Sequence, residues 1–457
     1  MLKKSRLLKL LLLIAPLSFA TASEQPNVLL IAVDDLNNFP TFTGRYPDAQ
    51  TPNMDRLAEQ GTVFTQAYCQ FPLCGPSRAS IMSGLHPITL GYERHVKDEK
   101  VQERAAELGT ELLHTYFANR GYKTMAVGKV FHSHVPKGTV DESGGRGGFN
   151  SPTGKLGKNW PQKGTSTDWA AVDDELEPKF PDYEAAEWAV ERLQQTHDKP
   201  FLLMVGFLRP HVAWYAPQKY FDLYDKEKIT LPRYEKYDLD DVPQAAKDIS
   251  ILDQMPRTDW AIENNQWRNI LHAYLACISF VDAQVGKVLD ALEASPHADN
   301  TIVVLYSDHG YHIGEKNTFQ KQSLWERSTK VPMIIAGPGT QANMRSDRVV
   351  SLIDIYPTIL EMAGLPANPK NEGRSLVPLL KDPALNWPYP AFTGWKQDSF
   401  SIQTERYHYI RYKDGSEELY DHSKDLDEIT NLATNPEYAS VKAQLLENLN
   451  AFTQARQ

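Results

Sequence analysis

The sequence predicts a mixed α/β fold, a mostly parallel sheet sandwiched by helices, followed by a smaller antiparallel sheet with one helix. Three observations predict it. Short runs of branched aliphatic residues recur between Asn27 and Gly337, helical patterns separate them, and after about Ala391 the pattern changes to aromatic and polar alternation. The first run, "PNVLLIAVDD" (26–35), is bounded by Pro26 and an acidic pair and reads as a strand buried on both faces. The same shape returns in "KTMAVGK" (123–129), "PFLLMVGFL" (200–208), "TIVVLYSDH" (301–309) and "VPMIIAG" (331–337). Between them, "TPNMDRLAEQG" (51–61) reads as a helix with Thr51 as N-cap, Pro52 in the first turn and Gly61 as stop. "DYEAAEWAVERLQQ" (182–195) and "RNILHAYLACISFVDAQVGKVLDAL" (268–292) carry apolar residues three and four apart, the spacing of an amphipathic helix. In the tail, "SFSIQTERYHYIRYKDGSEELYDH" (399–422) alternates, with Asp414-Gly415 as a hairpin turn, and a helix from about Tyr438 to Gln454 ends the chain. Its aromatics are expected in a core rather than as an exposed binding surface.

The domain organisation follows: residues 1–22 as a signal peptide, 23–390 as the large N-terminal domain and 391–457 as a C-terminal subdomain. The start is basic, the apolar run from Leu7 to Ala20 is broken by Pro16, and Ala20-Thr-Ala22 is a small-residue cleavage pattern. The run falls short of the ~20 residues of a spanning helix, so the mature protein is expected to be periplasmic or secreted, with no stable membrane anchor. Cleavage removes Lys3, Lys4, Arg6 and Lys9, which takes 48 basic residues to 44 against 58 acidic ones and the formal charge from −10 to −14. That surface argues against nucleic acid as a partner. An anionic ligand would have to meet a local cluster of cations.

The polar residues after each strand carry the functional signal. Asp34 and Asp35 follow the first, Lys129 and His132 the second, His211 the third, Asp308 and His309 the fourth. Parallel sheets bind ligands beyond the carboxyl ends of their strands, so these dispersed groups are expected on one rim. An isolated Asp-Asp pair more often caps a helix, but its recurrence as Asp308-His309 in a matching context favours an oxygen-rich nest for a hard divalent cation.

In "LCGPSRAS" (73–80), Pro76 suits a first helical turn, which puts Cys74 at a helix N-terminus where unpaired N–H groups favour anions. Arg78 returns one turn later with a fixed positive charge. The other cysteines are Cys69 and Cys277, and cysteine count alone favours a bridge from Cys74 to one of them. Cys277 lies on an apolar helix stripe and reads as core.

Cys-x-Pro-Ser-Arg at 74–78, with "ASIMSGLHP" after it, "NVLLIAVDDL" before it and "YSDHGYHIGE" late in the chain, resembles the formylglycine-dependent sulfatases of the alkaline phosphatase superfamily. Within that family "GKVFH" (128–132), "GFLRPHV" (206–212), Asp308-His309 and "FQKQSLWERSTKVPMI" (319–334) resemble the iduronate-2-sulfatase branch and related bacterial polysaccharide sulfatases. The resemblance implies an alkaline-phosphatase-like fold and hydrolysis of a sulfate ester on a carbohydrate, of 2-O-sulfated uronate, carrageenan or ulvan type. It implies that a sulfatase-maturating enzyme oxidises Cys74 to formylglycine, whose hydrate offers one oxygen as nucleophile and a second that expels sulfate by C–O cleavage. It further implies one Ca²⁺ held by Asp34, Asp35, Asp308, His309 and modified Cys74. Arg78 would neutralise the nucleophile, Lys129 and Lys321 bind sulfate oxygens, His211 protonate the leaving alkoxide and His132 assist sulfate release. Many sulfatases have Lys-x-His where this chain has Lys-x-x-His. His312, His134 and Trp325 lie near these motifs and read as supporting or packing residues.

Two other functions fit the same residues, a phosphonate or phosphate ester hydrolase and a non-catalytic sulfoglycan-binding protein whose Cys74 stays unmodified. Two stretches without core patterning, 137–160 and 232–260, read as irregular walls of a substrate pocket, with Arg146, Lys155 or Lys158 meeting a carboxylate or second sulfate.

Overall fold

The computed structural model describes residues 25–148, 152, 156, 159–160, 167–396 and 398–456. The expected signal peptide, Lys155 and Lys158 lie outside the described residues. The strands are β1 (Asn27–Val33), β2 (Gly61–Tyr68), β3 (Lys123–Gly128), β4 (Glu142–Gly145), β5 (Trp169–Val172), β6 (Phe201–Phe207), β7 (Trp214–Pro217), β8 (Thr301–Ser307), β9 (Lys330–Ala336) and β10 (Met344–Ser351). Eight of them form one sheet in the order β10-β2-β9-β8-β1-β6-β3-β4, while β5 and β7 pair separately. All pairs in the large sheet are parallel except those of β9, which runs antiparallel to both β2 and β8.

The central strands are apolar throughout because both faces are covered. Leu29, Ile31 and Val33 of β1 enter one core layer, and Val28, Leu30 and Ala32 enter the other. Helices Pro181–Leu193 and Trp267–Glu293 cover the first layer; α2 (Cys74–Ser83) and the helix Ile355–Met362 cover the second. Cys277 is buried in the first layer, in agreement with its apolar stripe.

Three expectations change. Gly61 opens β2 instead of only ending α1 (Pro52–Gln60): the chain there presses on β9 so closely that a Cβ would stand 2.3 Å from the Ile335 carbonyl oxygen. Thr51 does precede α1, but its hydroxyl turns to Asp55 and Thr41 rather than capping the helix. The stretches read as irregular contain β4, which pairs with β3, and the helices Gln244–Ser250 and Thr258–Glu263.

The C-terminal sheet is antiparallel: β11 (Ala391–Trp395), β12 (Ser399–Gln403), β13 (Tyr407–Arg411) and β14 (Glu417–Asp421), in that order. Gly415 turns the β13–β14 hairpin with φ +85°, and the helix Ala439–Gln454 lays Leu445 and Leu449 on Ile402, Tyr409 and Leu419. No described helix is long and apolar enough to cross a membrane.

Candidate active site

Register places the site. Val33 at the end of β1 pairs with Phe207 and with Ser307, and Gly128 pairs with Gly206, so residues 34, 208 and 308 leave the sheet at one level and residue 129 one position before it. Gly128 allows the close approach there: a Cβ on it would stand 1.9 Å from the Gly206 carbonyl oxygen. Asp35 adopts φ +60°, a sparsely populated backbone for a non-glycine residue. It is pinned on two sides, its N–H donating to Asp308 Oδ1 at 3.3 Å and its carbonyl accepting from the Tyr274 hydroxyl at 2.8 Å.

Cys74 begins α2, whose ten residues are all buried, so its sulfur meets the rim from the first helical turn. Sγ lies 3.2 Å from His309 Nε2, 3.1 Å from Lys321 Nζ and 3.9 Å from Asp35 Oδ1. One ligand atom from each of Asp34, Asp35, Cys74 and His309 falls within 4.8 Å of the others. His309 Nδ1 is 3.0 Å from the Gly310 carbonyl, which assigns its proton there and leaves the Nε2 lone pair facing the cluster, the form a metal ligand needs. Asp35 Oδ2 is buried and accepts no hydrogen bond from the described residues. A buried carboxylate oxygen without a donor is costly, and a divalent cation is the partner that fits this donor set.

Asp308 stands at the edge of this group. Its Oδ2 accepts from Arg78 Nε at 2.7 Å, while Oδ1 lies 3.6 Å from His309 Nε2. Arg78 is fully buried and bridges the strand ends, reaching Asp34 Oδ1 at 3.4 Å, the Val130 carbonyl at 3.2 Å and the Lys129 carbonyl. Its bonds go to these groups rather than to Cys74, so it fixes the acids that surround the cysteine. Lys129 Nζ pairs with Asp34 Oδ2, and Lys321 Nζ with Asp35 Oδ1 at 2.6 Å. Asp34, Asp35 and Asp308 are thus balanced by Arg78, Lys129 and Lys321; the acids, Arg78 and Lys129 are fully buried, and the site opens to solvent at Lys321.

Burial and this field set the protonation states. Burial, followed by the Asp34 charge, pushes the Cys74 thiol up to about 12, and the nearby lysines offset this only in part. Asp34 is held well below the usual carboxylate range: the Lys129, His211 and Arg78 charges outweigh its burial, which is the largest single influence. His211 follows Pro210, with Nδ1 2.7 Å from the Val212 carbonyl and Nε2 4.0 Å from Asp35 Oδ2; burial and then Lys321 hold the imidazole well below its ordinary value. His132 is pushed down to about 3 by burial and then by His95.

His95 is a residue the sequence reading missed. Its ring stacks on His132 at 3.8 Å with 13° between planes, and it packs so tightly on Gly75 that a Cβ there would stand 2.6 Å from His95 Nδ1. It sits in a loop with no periodic pattern, and only its place after the Cys74 helix hinted at it. Tyr274, within the stretch 268–292 read only as an amphipathic helix, was missed for the opposite reason: its hydroxyl reaches the rim from an apolar helix face. Arg146 is half-buried. His312 donates or accepts at Ser323 Oγ, 3.0 Å away, within the loop that carries Lys321. Cys69, Cys74 and Cys277 are free and buried, so the bridged reading of Cys74 does not hold.

The rim of this doubly covered sheet thus gathers Asp34, Asp35, Cys74 and His309, a cluster that could hold a metal ion, with the ammonium groups of Lys129 and Lys321 paired to its carboxylates. The chain belongs to the sulfatase family: the family model described as Sulfatase matches residues 26–365, and that of the N-sulphoglucosamine sulphohydrolase C-terminal region matches residues 314–455. A sulfatase of Formosa agariphila is 44% identical over 446 residues, 94% of this chain and 87% of the relative. The iduronate 2-sulfatase of Mus musculus is 30% identical over 399 residues, 77% of this chain and 71% of the relative. A solved 2-O GAG sulfatase superposes with a TM-score of 0.75 at 23% identity, over 95% of this chain and 93% of its own. The protein is a sulfuric ester hydrolase on an alkaline-phosphatase-like fold.

Proposed function

We propose that this sulfatase is exported and removes a sulfate ester from a sulfated glycan, with a 2-O-sulfated uronate as the first substrate to test. Cys74 would be converted to formylglycine by a sulfatase-maturating enzyme, and Asp34, Asp35, Asp308 and His309 would hold Ca²⁺. The observation that carries this reading is the place of Cys74: its side chain is buried at the start of a helix with one ligand atom each from Asp34, Asp35 and His309 around it and Lys321 Nζ 3.1 Å from Sγ, where an oxygen formed at this position would share a cation with those ligands. When present, the formylglycine hydrate supplies an oxygen nucleophile and the cation polarises the sulfate while making a balanced pocket net positive.

The chain's own residues do the rest. Lys129 and Lys321 stand where sulfate oxygens would gather and stabilise the charge that builds on them. Arg78 holds Asp34 and Asp308 at fixed distances from Cys74, so the acids need not reorganise during the reaction. His211 binds the Val212 carbonyl through Nδ1, so Nε2 is the atom that faces the site and hands a proton to the departing sugar oxygen. An anionic sulfate beside Lys321 offsets the charge that depresses His211 and so favours the protonated form. His132, kept neutral, suits the reverse task of accepting a proton as sulfate leaves.

The iduronate 2-sulfatase relative and the 2-O GAG sulfatase neighbour support the choice of substrate. Screening defined sulfated oligosaccharides should give sulfate release from 2-O-sulfated uronides. Turnover of phosphonate esters with no release from any sulfated glycan would overturn the proposal.

A further inference from the structure

Most histidines around the site have rings fixed by hydrogen bonds. His211 Nδ1 lies 2.7 Å from the Val212 carbonyl oxygen, His309 Nδ1 3.0 Å from that of Gly310, and His312 Nε2 3.0 Å from Ser323 Oγ. His134 uses both nitrogens, on the Gly128 carbonyl oxygen at 2.7 Å and on Ser143 Oγ at 2.8 Å. Bonds of this kind set the direction of an imidazole. His132 has none: its Nδ1 is buried without a partner, and no described residue bonds its Nε2.

The backbone around His132 is nevertheless held on both sides. Before it, Arg78 donates to the carbonyl oxygens of Lys129 and Val130, the latter at 3.2 Å. After it, Asp98 accepts from the N–H groups of Ser133 at 3.3 Å and His134 at 2.8 Å. Rotation of the ring is what these bonds leave open, and the stack with His95 restrains it. The two rings lie 3.8 Å apart and within 13° of parallel, so turning either one breaks the contact. His95 is itself seated from two directions. Asp98, three residues on, ties its chain to the His132 loop, and Gly75 in the first turn of α2 makes room for it: a Cβ there would stand 2.6 Å from His95 Nδ1 and 3.1 Å from its Cα.

We propose that His95 is a positioning residue: the face of its ring holds His132 in the plane from which that imidazole takes up a proton as sulfate leaves, the task that hydrogen bonds perform for the neighbouring histidines. A stack orients an imidazole without occupying either nitrogen, so both stay open to the proton. This rests on the role given to His132 above.

The test uses para-nitrophenyl sulfate, whose phenol leaves without a proton, so that turnover reads sulfate release. His95 is exposed, so replacing it removes no core packing and Tm should hold. In His95→Ala, kcat should fall about tenfold, the scale of one aromatic contact, while kcat/KM stays within about twofold, because the slowed step follows departure of the phenol. A burst of nitrophenol, about one per active site, should precede the slow turnover. His95→Phe, which keeps a flat ring, should restore most of the rate; His95→Asn, which keeps a polar atom without the ring, should not. In a His132→Ala background, His95→Ala should cost less than about twofold. Rescue by Asn instead of Phe, or the full loss in the absence of His132, overturns the proposal by giving His95 a role of its own. Unchanged kcat in His95→Ala, with His132→Ala slow, overturns the stack and leaves the role of His132 standing. Unchanged kcat in His132→Ala removes both.

Discussion

Two buried polar clusters in this molecule use the same residue types and end in opposite conditions. At the sheet rim, Asp34, Asp35, Cys74 and His309 converge, yet Asp35 Oδ2 accepts no hydrogen bond from the described residues and burial pushes the Cys74 thiol up. At the junction with the C-terminal sheet, His408, His422 and Glu428 lie as close together, but the carboxylate is saturated. Glu428 Oε1 accepts from His408 Nδ1 at 2.5 Å and His422 Nε2 at 2.9 Å, and Oε2 from the Glu326 N–H at 2.9 Å. Lys316 bonds the Glu428 carbonyl, and nearby Glu418 takes donors from Trp325, Tyr412 and Tyr420. A saturated cluster holds two parts of a fold together; an unsaturated one, held open by its surroundings, is prepared for a ligand.

The contrast predicts which substitutions remove activity and which remove stability. Cys74→Ala should cut turnover by about 10⁴-fold or more, as loss of a nucleophile does in other hydrolases, while Tm stays near its original value. Chelation should abolish activity and calcium restore it; restoration by zinc alone would reassign the cation. His211→Ala should lose about 10³-fold on sugar sulfates but far less on an aryl sulfate, whose leaving group needs no proton. Equal losses on both would remove the acid role.

At the junction the order reverses. Glu428→Ala leaves two imidazoles and an N–H without their acceptor and should cost about 3–5 kcal/mol of stability, read by denaturant unfolding, with kcat per folded molecule retained. The pH dependence should be smaller. Burial, the largest single influence, pushes Glu428 up, but pairing with His408 and His422 outweighs it and holds the carboxyl well below its ordinary 4.5, so its contribution is present above that value and is lost as pH falls through the folded one. Despite burial, Glu428 raises His422 above its ordinary 6.5, so that contribution is present below 6.5 and is lost as pH rises through the folded value. The junction should be most stable between these limits, and Glu428→Gln should flatten the profile of Tm against pH.

The rim was legible because strand ends are local: an apolar run followed by Asp, Lys or His puts the side chain there whatever the rest of the chain does. Strands that depend on partners were not. β2 mixes Thr and Gln with apolar residues, and β10 carries Arg and Asp at the sheet edge, so neither showed a buried pattern. β9 was legible as a strand but not its direction, which the β8–β9 connection decides. His95, Tyr274 and the His408–Glu428 pair escaped because each acts across more than a dozen residues, through a stack or a hydrogen bond that no local spacing records.

The mass of the peptide that carries Cys74, taken from fully active enzyme made in its native host, tests the central claim most directly. Conversion to the aldehyde predicts a mass roughly 18 Da below that of the encoded peptide. An intact thiol in a preparation of full specific activity would contradict it.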